Sequence, residues 1–562
     1  MNLRASRQPA PHESISKLGV TLIAAAFLLL TFFSDRLLPF GQWIAMIFML
    51  CFLAIVAIPP LFKKENRRFS LSACLLAVLQ GFASLSYLCN TGDLHPAVIA
   101  LCALAVALFS FVLFSGLFAR FATLPRQRPG GDGLRVTIYV MVLTLFALCL
   151  AWSDVFPADL GAPDTVNQLM QVDGTIPYSN VHTIAHTLLL ALVRAVDPSL
   201  GLLMALYYLA IAFLYGLFGR FAYERGVPFA VIMTAFVPFL MPKLTFALYT
   251  QPLKDLPYSF CLGIVTYLMI RFLEDGSLKR GQAVALGVCL AFATLFRYNG
   301  IVVSIVVGVF FLVAYLKKRQ FVSLVCSAAA AVVCVAGVGL VSRSVLHAET
   351  PENGFSMQIF GTGIAAVLAN DGDVTPEQMA ELEEILPVDW MLEHYEKWNA
   401  RTLVWTQDFS SGPDGLFDDQ NMQVFNNAFI VSLGTHRWEV VRLYAQLFVQ
   451  NPLICLRELA YGSSAVWGWR TESIQFYYTN VFLLSALLLA MFARIRRAER
   501  HRFWLAMLPV LCNVVSILIS TVTNEIRYLM PTFLLAPVLL LYAFSFEKDD
   551  GPSNANQPTA RC

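Results

Sequence analysis

Apolar runs of roughly twenty residues recur from Leu18 to Phe546, each about as long as a helix must be to cross the hydrocarbon core of a bilayer. Few other folds use so many. The candidate spans lie near 18–33, 41–61, 70–89, 97–119, 136–152, 199–219, 228–242, 256–272, 282–296, 301–316, 321–342, 479–493, 503–521 and 531–546. The chain therefore reads as an all-α polytopic membrane protein with about 14 transmembrane helices. Composition agrees: 58% of the 562 residues are hydrophobic and 14% are charged, against about 25% charged in an ordinary soluble domain.

Lysine and arginine fall in alternate loops. "KKENRR" at 63–68, the loop with Arg120, Arg126, Arg128 and Arg135, "GRFAYERG", "RFLEDGSLKR", "KKR" at 317–319 and "RIRRAERHR" at 494–502 are the basic ones, and the short loops between them carry none to two. The positive-inside rule places the basic loops and both termini in the cytoplasm. The polar start "MNLRASRQPAPHESISK" and the lack of a small-residue cleavage site make the first run a retained span.

This topology divides the chain. Residues 1–135 hold a cytoplasmic tail and four spans. Residues 136–342 form a membrane core whose first outer loop is 153–198. Residues 343–478 form an extracytoplasmic helical domain, 479–546 the last spans, and 547–562 a polar tail expected to be disordered. A net charge of +2 gives no reason to expect a nucleic-acid partner. Of the twelve cysteines, most lie inside apolar runs, such as Cys51, Cys102, Cys149, Cys289 and Cys334, and read as small packing residues.

The polar residues that break this pattern share the outer side. The stretch "SDVFPADLGAPDTVNQLMQVDGTIPYSNVHTIAH", 153–186, has four aspartates, two histidines and no lysine or arginine. Asp164 follows Pro163, where it could cap a short helix or act as a general base. His182 and His186 are four apart and would share a face if helical. The spacing permits a metal pair, but the zinc-protease form is absent and a substrate-binding pair is the other reading. Lys254 and Asp255 in "YTQPLKDLPYSF", Arg297 and Asn299 in "LFRYNGIVV", and Glu525 and Arg527 in "TNEIRYLMP" lie at further outer turns. Ionisable groups at membrane depth cost several kcal/mol unless paired or useful, and arginine offers a planar fork that suits phosphate.

The ordered series "APDTVNQLMQ", "NVHTIAHTLLLAL", "LKDLPYSFCLGIVTYLMIRFL", "LFRYNGIVVSIVVGVFFLV" and "RYLMPTFLLAPVLLLY" resembles the GT-C membrane glycosyltransferases over residues 136–546. With "FSMQIFG" and "AVWGW" added, it is similar to an uncharacterised bacterial group of multispan proteins thought to share that fold. The resemblance implies a GT-C-like core with an inserted outer helical domain, in a bacterial inner membrane. It implies a sugar carried on a polyprenyl phosphate, a cell-envelope glycan, lipid or protein as acceptor, and an inverting transfer at the outer face. Asp164 would be the base, and Arg297, Lys254 and Arg527 would bind the donor phosphate. Asp154, His182, His186, Asp255, Asn299 and Glu525 would support the site. Trp467 and Trp469 would stack on sugar or anchor the outer domain. Many relatives carry a second acid beside the first, whereas Thr165 follows Asp164 here, so the sequence leaves a divalent cation open. No other cofactor is expected. A multispan transporter or a lipid or oligosaccharide flippase is the alternative. It would put ionisable groups near span midplanes. A non-catalytic protein whose outer domain binds an envelope partner is a third.

Overall fold

The computed structural model describes residues 73–81, 96–123, 132–153, 155–180, 182–236, 250–349, 354–396, 401–404, 428–462, 480–520 and 526–546. Its principal helices are α1 (Pro96–Thr123), α2 (Gly133–Trp152), α3 (Pro163–Val172), α4 (Ile184–Arg194), α5 (Gly201–Glu224), α6 (Phe229–Phe236), α7 (Asp255–Asp275), α8 (Arg280–Phe296), α9 (Gly300–Lys317) and α10 (Phe321–Leu340). After these come α11 (Gln358–Ala369), α12 (Pro376–Ile385), α13 (Val388–His394), α14 (Ala428–Thr435), α15 (Arg437–Gln450), α16 (Pro452–Gly462), α17 (Asn480–Arg494), α18 (Arg500–Ser520) and α19 (Met530–Ser545). Among the described residues the only extended pairing is an isolated parallel bridge between Ser179 and Glu349.

Among the described residues, seven helices are long and apolar enough to cross a membrane: Gly133–Trp152, Gly201–Glu224, Asp255–Asp275, Gly300–Lys317, Phe321–Val345, Arg497–Leu518 and Arg527–Ser545. The runs expected at 18–33 and 41–61 lie outside the described residues, and those at 70–89 and 228–242 are described only in part. The run at 282–296 forms a helix of 17 residues, at the short end of what crosses a bilayer, and the run at 479–493 is a helix of 15 described residues.

The spans share one apolar core. α19 runs through its centre, with Leu534, Val538, Leu539 and Tyr542 wholly enclosed, while α10 lies along its outside. Close approaches fix the pieces that matter for the site. A Cβ on Gly287 would collide with the Ser327 backbone, so only glycine lets α8 and α10 meet there. A Cβ on Gly300 would collide with the Ala293 carbonyl, so glycine lets the chain fold tightly from α8 into α9 and hold Arg297 at the turn. Residues 354–462 build a second core, with Ile364, Leu382, Met391, Phe429, Leu433, Leu443 and Leu447 inside it. α12 there starts on a capping box, with the Thr375 hydroxyl accepting from Gln378 N and the Gln378 side chain accepting from Thr375 N.

α7 is the span on which the site is built. Its 21 residues rise about 30 Å. It carries Asp255 at its first position and Glu274 next to its last, and Gly276 closes it with φ +75. Each of its acidic ends is tied to other helices by ion pairs.

Candidate functional site

α3 begins with Pro163 at its first position, where a missing N–H costs nothing, and this sets Ala162 as the cap. The capping role open to Asp164 is therefore not the one it takes. Its carboxylate turns instead to two cations that outcompete a backbone N–H: Lys254 Nζ lies 2.9 Å from Oδ2 and Arg527 Nη1 lies 3.1 Å from the same oxygen. Thr165, buried beside it, donates to the Pro252 carbonyl at 3.3 Å and so locks the start of α3 to the segment that presents Lys254.

The two histidines do not share a helical face. α4 starts at Ile184 behind an extended Thr183, so His182 stands before the helix and His186 within it. The cause is tertiary: the Thr183 hydroxyl donates to the Phe296 carbonyl at 2.7 Å and holds this residue out of the helix. His182 Nδ1 lies 3.1 Å from Lys254 Nζ. An ammonium only donates, so Nδ1 accepts and the ring proton sits on Nε2. His186, wholly buried, belongs to a separate polar chain. Its Nδ1 meets Gln168 Oε1 at 2.8 Å and its Nε2 meets the Tyr207 hydroxyl at 3.2 Å, while Gln168 also donates to Thr187 at 3.0 Å. This chain clamps α3, α4 and α5 together behind the carboxylate.

Asp255 forms an ion pair with Arg297 rather than orienting Lys254. The Arg297 guanidinium lies 4.5 Å from the Tyr528 ring centroid and 5.8 Å from that of Tyr258. Its Nε donates to Asn299 at 3.2 Å, and Asn299 donates to Ser516 at 3.1 Å. The Tyr258 hydroxyl donates to Asn513 at 2.8 Å, and Asn513 donates to the Tyr528 carbonyl at 3.2 Å. Arg527 itself lies 5.4 Å from the Tyr528 ring. The segment from Arg527 to Tyr528 thus joins an Asp164 half-site to an Arg297 half-site. Asp154 and Glu525, like Trp467 and Trp469, lie outside the described residues.

Charge is unbalanced here. Among the described residues the cluster holds three cations, Lys254, Arg297 and Arg527, and two carboxylates, Asp164 and Asp255, all with side chains less than a fifth exposed. Burial alone would push the Asp164 carboxyl up, but Lys254, then Arg527, outweigh it and hold the carboxyl well below the usual range. Burial, and after it the Lys254 charge, push both histidines down to about 3, so both are neutral at pH 7. Burial also pushes the Lys254 ammonium down, against the pull of Asp164, with Arg527 and Arg297 adding to the push.

Among the described residues one net positive charge is thus enclosed in a setting where every Coulomb interaction is strengthened, and a single anionic group would neutralise it. Among the described residues no group of three or more His, Cys, Asp or Glu is placed to hold a metal ion. A divalent cation at Asp164 would have to displace Lys254 and Arg527. Sequence reading names all five of these charged residues but misses Tyr258, Asn513, Ser516, Tyr528 and Gln168. Asn513, an amide within the apolar stretch of α18, is the one legible signal among them. No protein-family model matches the chain, and no curated protein or solved structure does.

Proposed function

We propose that this chain is a membrane glycosyltransferase of the GT-C type, moving a sugar from a polyprenyl-phosphate donor to a cell-envelope acceptor at the outer face of a bacterial inner membrane. In this reading the spans number about fourteen, both termini are cytoplasmic, and residues 343–478 are an extracytoplasmic domain. The observation that carries the reading is the enclosed cluster of three cations and two carboxylates where α3, α7, α8 and the Arg527 segment meet. A phosphodiester bears one negative charge and supplies what the cluster lacks.

The geometry supports these roles in that reading. Lys254 and Arg527 face the donor phosphate. Arg297, fixed by Asp255 and the tyrosine rings, stabilises the charge that develops on the leaving phosphate. Asp164 takes the proton from the acceptor hydroxyl as it attacks the anomeric carbon from the opposite side, with inversion. A transporter would carry its ionisable groups near the middle of spans. Here Asp255 is the first residue of α7 and Arg297 follows the last residue of α8, which favours chemistry at one membrane face over passage through it.

The test is sugar transfer in membrane vesicles supplied with radiolabelled polyprenyl-phosphate sugars, comparing the native protein with Asp164→Asn and Arg297→Ala at matched expression. Transfer lost in both variants is the expected result. Transfer that persists in Asp164→Asn would remove the base assigned here.

A further inference from the structure

A base that two cations already hold is a poor base. Lys254 and Arg527 both approach Oδ2 of Asp164. Among the described residues, the groups facing this carboxylate from the packed elements are Lys254 at the start of α7, Arg527 in the segment before α19, and neutral His182 before α4. Arg297 and Asp255 stand beyond, already paired with each other. In this resting arrangement the carboxylate is stabilised as an anion and has little tendency to take a proton at neutral pH.

The geometry points to a switch of partners: an arriving phosphodiester draws Lys254 and Arg527 away from Asp164, and that exchange turns Asp164 from a salt-bridge acid into a working base. The inference rests on the donor-phosphate reading given above and adds an order of events to it. The donor binds first and arms the base, and only then is an acceptor hydroxyl, or a stray water, deprotonated. Without donor the enclosed carboxylate stays inert.

Charge accounting supports the exchange. With a phosphodiester bound, the cluster holds three positive and three negative charges. In the transfer step the acceptor oxygen forms its bond to the anomeric carbon and its proton passes to Asp164. The bond from that carbon to the phosphate oxygen breaks, and the electron pair stays on that oxygen. Asp164 loses one negative charge as the phosphate gains one, so the cations face the same total throughout and need move only from one anion to the other. Release of the phosphate monoester then requires Asp164 to shed its proton and recover its two partners. The two adjacent anchors suit this exchange. Lys254 has a flexible stem and Arg527 is held against one ring, whereas Arg297 is fixed by an acid and two rings and stays in place.

The experiment measures protons rather than sugar. Purified full-length protein in lipid nanodiscs is titrated with farnesyl methyl phosphate, a phosphodiester with no titrating proton of its own near neutrality. Calorimetry in buffers of different ionisation enthalpy, at about pH 6, above the ordinary carboxyl range, reads the protons taken up on binding. Infrared difference spectra with ¹³C-labelled aspartate read whether a carboxyl becomes protonated. Fractional uptake in the native protein, less than one proton per site so that part of the carboxylate stays free to act, with a new protonated-aspartate band and neither effect in Asp164→Asn, is the expected result. Should Asp164→Asn fail to fold, the isotope-labelled band in the native protein decides alone. Binding with no uptake and no band would overturn the switch and leave the phosphate site standing. No binding of the phosphodiester would overturn both.

Discussion

The two ends of α7 carry the same kind of chemistry to different purposes. At one end Asp255 pairs with Arg297, beside Asp164 with Lys254 and Arg527. At the other Glu274 accepts from Arg225 at 2.5 Å and from the Tyr542 hydroxyl at 3.0 Å, with Arg502 at 3.7 Å. Among the described residues the first end has more cation than acid, whereas at the second Arg225 and Arg502 are matched by Glu274 and Glu499. Arg225 and Arg502 are also about a third exposed, and Arg502 donates to the Leu273 carbonyl, so water and neighbours share their charge. Lys254, Arg297 and Arg527 are 14, 11 and 19% exposed, and their excess is enclosed. Matched charges that meet water make a structural tie among α5, α7, α18 and α19, whereas an enclosed surplus makes a site that favours an anion.

Mutations should separate the two ends. The largest effect is expected from Asp164→Asn, which should lower sugar transfer by about 10²–10⁴-fold with little loss of folded protein; an equal loss of folded protein, read by size exclusion in detergent, would make the residue structural instead. Asp255→Ala leaves the Arg297 guanidinium buried without its acid and should cost about 3–5 kcal/mol of stability, seen as a lowered midpoint of thermal unfolding. Glu274→Gln should cost less, about 1–2 kcal/mol, because Arg225 and Arg502 can turn to water; its remaining folded protein should transfer sugar at the native rate. If Glu274→Gln proves as damaging as Asp255→Ala, the contrast between the ends is lost.

Lys254→Ala sharpens the comparison through pH. Removing one of the cations that hold the Asp164 carboxyl low raises its pKa. A base works only when unprotonated, so the acid limb of the kcat/KM profile, which reports the donor-free protein, should move to higher pH. No such movement should follow Glu274→Gln. The smallest effect is expected from Thr165→Val, which removes the bond to the Pro252 carbonyl and should cost about 1 kcal/mol. It should also weaken transfer by letting Asp164 and Lys254 drift apart.

Much of this is legible in the amino-acid sequence. The apolar runs announce the spans, since no other local pattern competes with twenty residues of Val, Leu, Ile and Phe. Asp164, Lys254, Asp255, Arg297 and Arg527 stand out as ionisable groups at the ends of such runs. What a sequence does not supply is partnership across the fold. Asp255 and Lys254 are neighbours in the chain, yet Asp255 turns to Arg297, 42 residues away. His182 and His186 have helical spacing, but the bond from Thr183 to Phe296 delays the helix past His182. The cap of α3 is readable from local rules alone: proline at a helix's first position moves the cap back one residue, which excludes Asp164 from that role. The Glu274 tie is invisible because its members, Arg225, Glu274, Arg502 and Tyr542, read as ordinary loop and span-end residues.

The length of α7 has a consequence of its own. It is a rod of about 30 Å with a fixed acid near each tip, close to the thickness of a bilayer's hydrocarbon core. Such a rod is a ruler. In a thicker bilayer one acid and its partners must sink into hydrocarbon or the lipid must thin around it, and in a thinner one the rod must lean. Leaning would move the Asp255 tip, and with it Arg297 and the neighbouring Lys254, relative to α3. The turnover of this protein should therefore pass through a maximum as acyl chain length is varied, tuned to the membrane in which the rod stands upright.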